Sequence, residues 1–335
     1  MILRIHRLWL VLFLLCSVTF AAERKPNVIL IMTDDQGFGD LGFTGNKQIQ
    51  TPHLDAFANS AVYLDQFHVS PVCTPTRASL MTGRYNYRTR AIDTYLGRAM
   101  MDPAEVTLAE MLRGHGYHTG IFGKWHLGDN YPLRSMDQGF EESLVHPGGG
   151  LMQPANPPQN HYTDPILWHN GQPEKQKGYC SDIYTTAAIE FIEHQKQNPF
   201  FVYLAFNAPH SPLEVPDEEL LPYSKLGLSD NLAHTYAMVT NIDRNLGRLF
   251  AKLDSLQLAD DTLVIFLMDN GPAFARYNAG MRSERNTLRR GTRVPCFIRL
   301  GKKLPAGKRI SVPTAAISIS PPQFSPHAAS CSDRT

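Results

Sequence analysis

Asn27-Val28-Ile29-Leu30-Ile31-Met32-Thr33-Asp34-Asp35 is a continuous apolar run that ends in two carboxylates. It lacks the apolar–polar alternation of a half-exposed strand. It has instead the pattern of a strand buried on both faces, as in a parallel sheet covered by helices. The same grammar recurs far downstream in Thr262-Leu263-Val264-Ile265-Phe266-Leu267-Met268-Asp269-Asn270-Gly271. In open α/β sheets ligands bind beyond the carboxyl ends of parallel strands. Two such ends, distant in sequence and both rich in side-chain oxygens, therefore predict one shared site.

Working outward, strand patterns are expected at 117–122, 200–206 and 294–300, and helices at 52–60, 108–113, 183–195 and 231–256. Their alternation predicts an α/β fold. Residues 147–177 are rich in Pro, Gly, Asn and Gln and include Gly148-Gly149-Gly150 and Pro157-Pro158. A long loop over the site is expected there, since strand–helix alternation resumes immediately afterwards. The chain has 335 residues, 43% of them hydrophobic and 19% charged, enough apolar material for one large or two ordinary domains. Lys plus Arg number 32 and Asp plus Glu 31, so no basic excess points to nucleic acid as a partner.

Residues 1–22 place Arg4, His6 and Arg7 before an apolar run and end it in small residues, Ala21-Ala22. This reads as a secretory signal peptide. The apolar run over 8–20 is shorter than the ~18 residues of a spanning helix, so no stable membrane anchor is expected. Export to a periplasmic or secreted location follows. Cys16 follows Leu15, where a lipoprotein signal wants a small residue. Four cysteines remain, Cys73, Cys180, Cys296 and Cys331, too sparse for a disulfide framework.

Cys73-Thr74-Pro75-Thr76-Arg77-Ala78-Ser79-Leu80-Met81-Thr82-Gly83-Arg84 carries the densest information. Pro75 suits a first helical turn and Gly83 a helix end. Cys73 is then placed at a helix N-terminus, where free N–H groups favour an anion, with Arg77 one turn on. A buried thiol at a helix start is the ordinary reading of a lone Cys. The segment, however, resembles the signature of type I sulfatases, in which this Cys is converted to formylglycine. Asp34-Asp35-Gln36-Gly37-Phe38-Gly39-Asp40, Gly123-Lys124-Trp125-His126-Leu127-Gly128, Asn207-Ala208-Pro209-His210 and Asp269-Asn270-Gly271 resemble further motifs of that family, in order, over about 26–295.

The resemblance implies an alkaline-phosphatase-like fold, with a large, mostly parallel mixed sheet sandwiched by helices. It implies hydrolysis of sulfate monoesters on sulfated sugars or aryl sulfates, after maturation by a formylglycine-generating enzyme. Asp34, Asp35, Asp269 and Asn270 form an all-oxygen set suited to Ca²⁺ or Mg²⁺, with the modified Cys73 among the ligands. The resemblance favours Ca²⁺, and no His pair has zinc spacing. Lys124 and His126 are two apart, so an extended segment would point both to one face. By resemblance, Arg77 and Lys124 orient the modified Cys73 and the sulfate, and one hydroxyl of the aldehyde hydrate attacks sulfur. His210 contacts the sulfate or leaving oxygen, and His126 takes the proton from the other hydroxyl so that sulfate is expelled. A plain thiolate would form a thiosulfate ester without that second oxygen.

Two departures stand out. Where the family carries a second active-site Lys, alignment places Arg285 in Met281-Arg282-Ser283-Glu284-Arg285, a swap that changes geometry as well as shape. By the resemblance the family's smaller C-terminal subdomain is expected to be absent, since 315–335 has neither strand nor helix periodicity. The expected division is a signal peptide at 1–22, a catalytic domain at 23–314 and an atypical, frame-disrupted tail at 315–335. Two alternatives remain open: a phosphonate or phosphodiester hydrolase of the same superfamily, and an inactive truncated relative that binds Ca²⁺ and sulfated glycan. Val215-Pro216 and Thr51-Pro52-His53-Leu54-Asp55 look closest to arylsulfatase B-like enzymes.

Overall fold

The computed structural model describes residues 24–95, 97–281, 289–311 and 315–316. Residues 1–22, with the expected signal peptide, Arg285, and most of 315–335 lie outside the described residues. In chain order the strands are β1 Asn27–Thr33, β2 Val62–Leu64, β3 Phe67–His68, β4 His118–Lys124, β5 Glu142–His146, β6 Ile166–His169, β7 Gln172–Lys175, β8 Phe200–Ala205, β9 Thr262–Met268, β10 Cys296–Leu300, β11 Arg309–Ile310 and β12 Ala315–Ala316. The helices are α1 Pro52–Ser60, α2 Cys73–Thr82, α3 Leu108–Gly114, α4 Cys180–Gln195, α5 Asp217–Ser224, α6 Asp230–Ser255 and α7 Arg289–Thr292.

Among the described residues the main sheet has ten strands, ordered β11-β2-β10-β9-β1-β8-β4-β5-β6-β7. The central run β9-β1-β8-β4-β5 is parallel throughout, and β10, β6 and β7 join it antiparallel. This is the large, mostly parallel mixed sheet flanked by helices expected of an alkaline-phosphatase-like fold. The apolar runs explain which strands are central. Every residue of β8 is fully buried, and β1 is buried over Ile29–Thr33 apart from a trace of Leu30. Each Phe, Leu or Val so removed from water contributes about 1.5–3 kcal/mol, which strand pairing at a sheet edge would not recover. Helix α6 presents Tyr236, Val239, Ile242, Leu246, Leu249 and Leu253 at helical spacing, all fully buried. Asp243 on the same helix accepts from the N–H groups of His53 (3.2 Å) and Leu54 (2.6 Å), so it serves α1 in place of a local cap.

The expected loop at 147–177 requires correction. It contains the β6–β7 hairpin, which extends the sheet beyond β5. The outer strand Gln172-Pro173-Glu174-Lys175 is exposed at every position, so its sequence carries no apolar alternation to read. Proline and charge on an unpaired edge also discourage pairing with other chains. The tail needs a smaller correction, because Ala315–Ala316 pairs in parallel with Phe67–His68.

Gly123 illustrates how tightly the site-bearing end of the sheet is built. Its φ is +123°, and an added Cβ would lie 1.8 Å from the carbonyl oxygen of Ala205 on the neighbouring strand. Gly123→Ala is therefore expected to destabilise the protein by about 3 kcal/mol or more, because both strain and a backbone clash must be relieved. Equilibrium denaturation would show this as a lower midpoint. An unchanged midpoint would mean that the β4–β8 spacing is softer than the structure shows.

Candidate active site

The parallel strands deliver their C-terminal residues to one edge. Thr33 is in register with Met268, Met32 with Ala205, and Lys124 with His146. The chain then continues the pairing beyond the strands: Asp34 N–H donates to the Ala208 carbonyl at 3.1 Å, and Asp269 N–H to that of Thr33 at 3.0 Å. Asp34, Asp35, Asp269 and Asn270 thus meet across the β1–β9 junction, as the two opening sequence runs predict.

Positive side chains meet them. Lys124 Nζ lies 2.5 Å from Asp34 Oδ2. Arg77, fully buried on α2, places Nε at 3.2 Å and Nη2 at 2.8 Å from Asp269 Oδ2, while Nη1 donates to the Lys124 carbonyl at 3.0 Å. Burial pushes the Asp269 carboxyl up to about 6, with the nearby Asp34 charge adding to it and Arg77 opposing. For Asp34 burial acts upward as well, but Lys124, His210 and Arg77 outweigh it and hold the carboxyl below its ordinary value.

Three acids in this small space exceed the two cations, and some oxygens have no donor. Asp34 Oδ1 and Asn270 Oδ1 are buried without a hydrogen-bond partner. An orphaned buried acceptor costs about 1–3 kcal/mol, a cost that coordination to a cation would remove. Oxygens of Asp34 and Asp269 and Cys73 Sγ also lie within 4.8 Å of one another. The carboxylate and amide oxygens, taken without the sulfur, fit a hard divalent cation. Asp35 Oδ1 accepts from Asn270 Nδ2 at 2.7 Å, which leaves the Asn270 amide oxygen turned to the same space.

Cys73 is the first residue of α2, and Val72 before it supplies no side-chain cap. The helix ends as expected, with Gly83 left-handed at φ 69°. The thiol does not gain the acidity that a helix N-terminus alone would give. Burial pushes it up to about 11, and Asp34 and Asp269 add to that against Lys124 and Arg77. Cys73 Sγ lies 3.4 Å from His126 Nδ1. Burial, reinforced by Lys124 and Arg77, holds His126 well below the ordinary imidazole value, so the ring is a neutral proton acceptor at pH 7. His210 Nε2 stands 3.8 Å from Asp35 Oδ2, and its Nδ1 lies 2.7 Å from the Ser211 carbonyl.

The expected same-face relation of Lys124 and His126 needs revision in its cause. Strand β4 ends at Lys124, and His126 is left-handed at φ 57°. Its placement comes from continued pairing with the neighbouring chain: Trp125 N–H donates to the His146 carbonyl (3.2 Å) and His126 N–H to that of Pro147 (3.0 Å). Of the residues anticipated from sequence, Asp34, Asp35, Cys73, Arg77, Lys124, His126, His210, Asp269 and Asn270 are brought together.

Other contributors were not anticipated. Tyr203 on β8 lies 3.5 Å from Arg77 Nη1 through its hydroxyl. The Tyr162 hydroxyl, from the supposed loop, lies 2.7 Å from the Asn207 carbonyl and 2.6 Å from that of His210, so its one proton is shared between them and pins the His210 segment. His146 is fully buried beyond Lys124 with neither ring nitrogen hydrogen bonded. Gly149 and Gly150 back onto the rings of His126 and His210; a Cβ at either would come within 2.8 and 3.1 Å of them. Only the glycine run offered a signal in the sequence. Cys180 and Cys296 are buried free thiols, and no disulfide occurs among the described residues. No described helix is long and apolar enough to cross a membrane.

The family model described as Sulfatase matches residues 26–325. N-acetylgalactosamine-6-sulfatase of Mus musculus is 32% identical over 296 residues, covering 80% of this chain and 54% of the mouse protein. Steryl-sulfatase of Mus musculus is 29% identical over 398 residues, covering 90% and 61%. The chain thus spans little more than half the length of these relatives. Among solved structures, Ps i-CgsB in complex with k-i-k-neocarrahexaose superposes with a TM-score of 0.80 at 31% identity, covering 88% of this chain and 70% of that one.

Proposed function

Since the chain belongs to the sulfatase family, we propose that it is a sulfuric ester hydrolase that cleaves sulfate monoesters, with a sulfated sugar as substrate. The observation that carries this reading is the meeting of Cys73, Asp34 and Asp269 within 4.8 Å, flanked by buried Arg77 and Lys124. An anionic ester needs fixed positive charge around it, and these residues are pre-organised to supply it at no reorganisation cost. The sugar class is supported by the similarity to an N-acetylgalactosamine-6-sulfatase and to a protein solved with a neocarrahexaose.

Asp34, Asp35, Asp269 and Asn270, with Cys73 beside them, would hold a divalent cation, Ca²⁺ by preference, which when bound offsets the charge of the sulfate oxygens. Cys73, oxidised to formylglycine by a maturation enzyme, supplies an aldehyde hydrate as nucleophile. Arg77 and Lys124 hold that position and the sulfate through donors fixed by Asp269 and Asp34. His126, neutral and 3.4 Å from Cys73 Sγ, takes a proton from the residue at position 73. His210 faces the same space on the side of Asp35 and takes the sulfate or the leaving oxygen. Arg285 is proposed to stand in for the family's second Lys. The catalytic domain is proposed over 23–314, and export rests on residues 1–22 as a signal peptide.

Mass analysis of the peptide containing Cys73, from protein made in its native host, tests the maturation step. An aldehyde at position 73 is the expected result. A fully retained thiol would overturn the formylglycine reading and favour a binding protein without turnover.

A further inference from the structure

Asp40 and Arg276 form a buried ion pair that the proposed chemistry does not use. Asp40 is fully buried and the Arg276 side chain is 1% exposed. Arg276 Nε lies 2.9 Å from both Asp40 oxygens, and Nη2 lies 2.6 Å from Asp40 Oδ2. That same Nη2 donates to the backbone carbonyl of Asp35 at 2.9 Å. A buried pair is weak evidence of stability in itself, because desolvation offsets most of its attraction. What distinguishes this one is the third partner.

Asp35 has φ 60°, a left-handed backbone that costs a non-glycine residue on the order of 1 kcal/mol. Its peptide is gripped from both sides. The Asp35 N–H donates to Asp269 Oδ1 at 3.3 Å, and its carbonyl accepts from Arg276. This conformation turns the Asp35 carboxylate toward Asn270, where Oδ1 accepts at 2.7 Å. The segment bearing Arg276 is itself seated against the 37–40 turn. A Cβ on Gly39 would lie 2.3 Å from the Tyr277 carbonyl, and one on Gly37 would lie 3.0 Å from the Pro272 ring. Asp40 Oδ2 also accepts from Gly37 N–H at 2.6 Å, which closes the turn that follows Asp35.

We propose that Arg276, aimed by Asp40, is a positioning residue that locks Asp35 in its left-handed conformation and so presets the cation site before any cation arrives. The proposal rests on the cation reading given above. Residues that orient metal ligands without touching the metal change affinity by roughly 10–100-fold when replaced. Arg276→Lys keeps a charge for Asp40 but loses the planar fork that spans Asp40 and the Asp35 carbonyl together. It therefore separates positioning from simple charge pairing.

Calorimetric titration of the chelator-stripped full chain with Ca²⁺, and separately with Mg²⁺, tests this, comparing the parent with Arg276→Met, Arg276→Lys and Asp40→Asn. The expected result is a Kd weakened by roughly 10–100-fold in all three, while Arg276→Lys keeps most of the parent's thermal midpoint without Ca²⁺. Lowered midpoints with Kd values within about twofold of the parent would overturn the proposal, since a merely structural pair behaves that way. Should Arg276→Met not fold, Arg276→Lys decides the outcome alone. A parent that binds neither Ca²⁺ nor Mg²⁺ would overturn the cation reading as well, whereas equal binding by parent and variants overturns only the role of Arg276.

Discussion

Cys73→Ala is expected to abolish sulfate-ester turnover, by at least about 10⁴-fold, while leaving the fold in place. The side chain is 2% exposed and small, so its truncation removes little packing. Its neighbours Arg77, Lys124, Asp34 and Asp269 hold one another without it. Stability should therefore change by less than about 1.5 kcal/mol. The same argument covers an unconverted thiol. Pushed up to about 11 by burial, it stays protonated at neutral pH and lacks the thiolate that attack requires. Steady-state kinetics with an aryl sulfate, paired with a denaturation curve, reads both parts. Substantial turnover by Cys73→Ala would remove position 73 from the chemistry.

Lys124→Met should lose both stability and activity, for one electrostatic reason. Lys124 and Asp34 are each fully buried, and their contact is 2.5 Å. Removing the ammonium leaves Asp34 facing Asp269 without its nearest counter-charge, and breaking a buried pair in this way costs about 3–5 kcal/mol. Activity should fall by at least about 10²-fold, the usual loss when one fixed donor at a developing anion is removed. The double variant Lys124→Met with Asp34→Asn removes both charges and should recover much of the lost stability, though not the activity. If the double variant were destabilised by the sum of the two single effects, the pair would not be coupled as the structure indicates.

The parts of this protein most legible in the sequence are those where one physical demand dominates. Strands β1 and β9 must be apolar on both faces and must end in acids, and both properties appear in consecutive residues. The helix beginning at Cys73 shows its proline and its terminal glycine. Boundaries shifted only by a few residues, as for the strand expected at 117–122 and found at His118–Lys124. The β6–β7 hairpin was not legible because an exposed edge imposes no apolar period. Tyr162 and Arg276 were missed for a different reason: both act on backbone carbonyls, of Asn207, His210 and Asp35, and a carbonyl leaves no mark on residue type. The left-handed turn at His126 is likewise a property of its neighbours, set by the carbonyls that pair with it.

Asp34, Asp35, Asp269 and Asn270 are proposed to hold a cation that works with position 73 on a sulfate monoester. Turnover of matched aryl sulfate and aryl phosphate esters by protein carrying the aldehyde at position 73, before and after chelation and after Ca²⁺ is restored, tests it most directly. The expected result is a kcat/KM favouring the sulfate, lost on chelation and regained with Ca²⁺. A clear preference for the phosphate, or sulfate turnover indifferent to chelation, would contradict it.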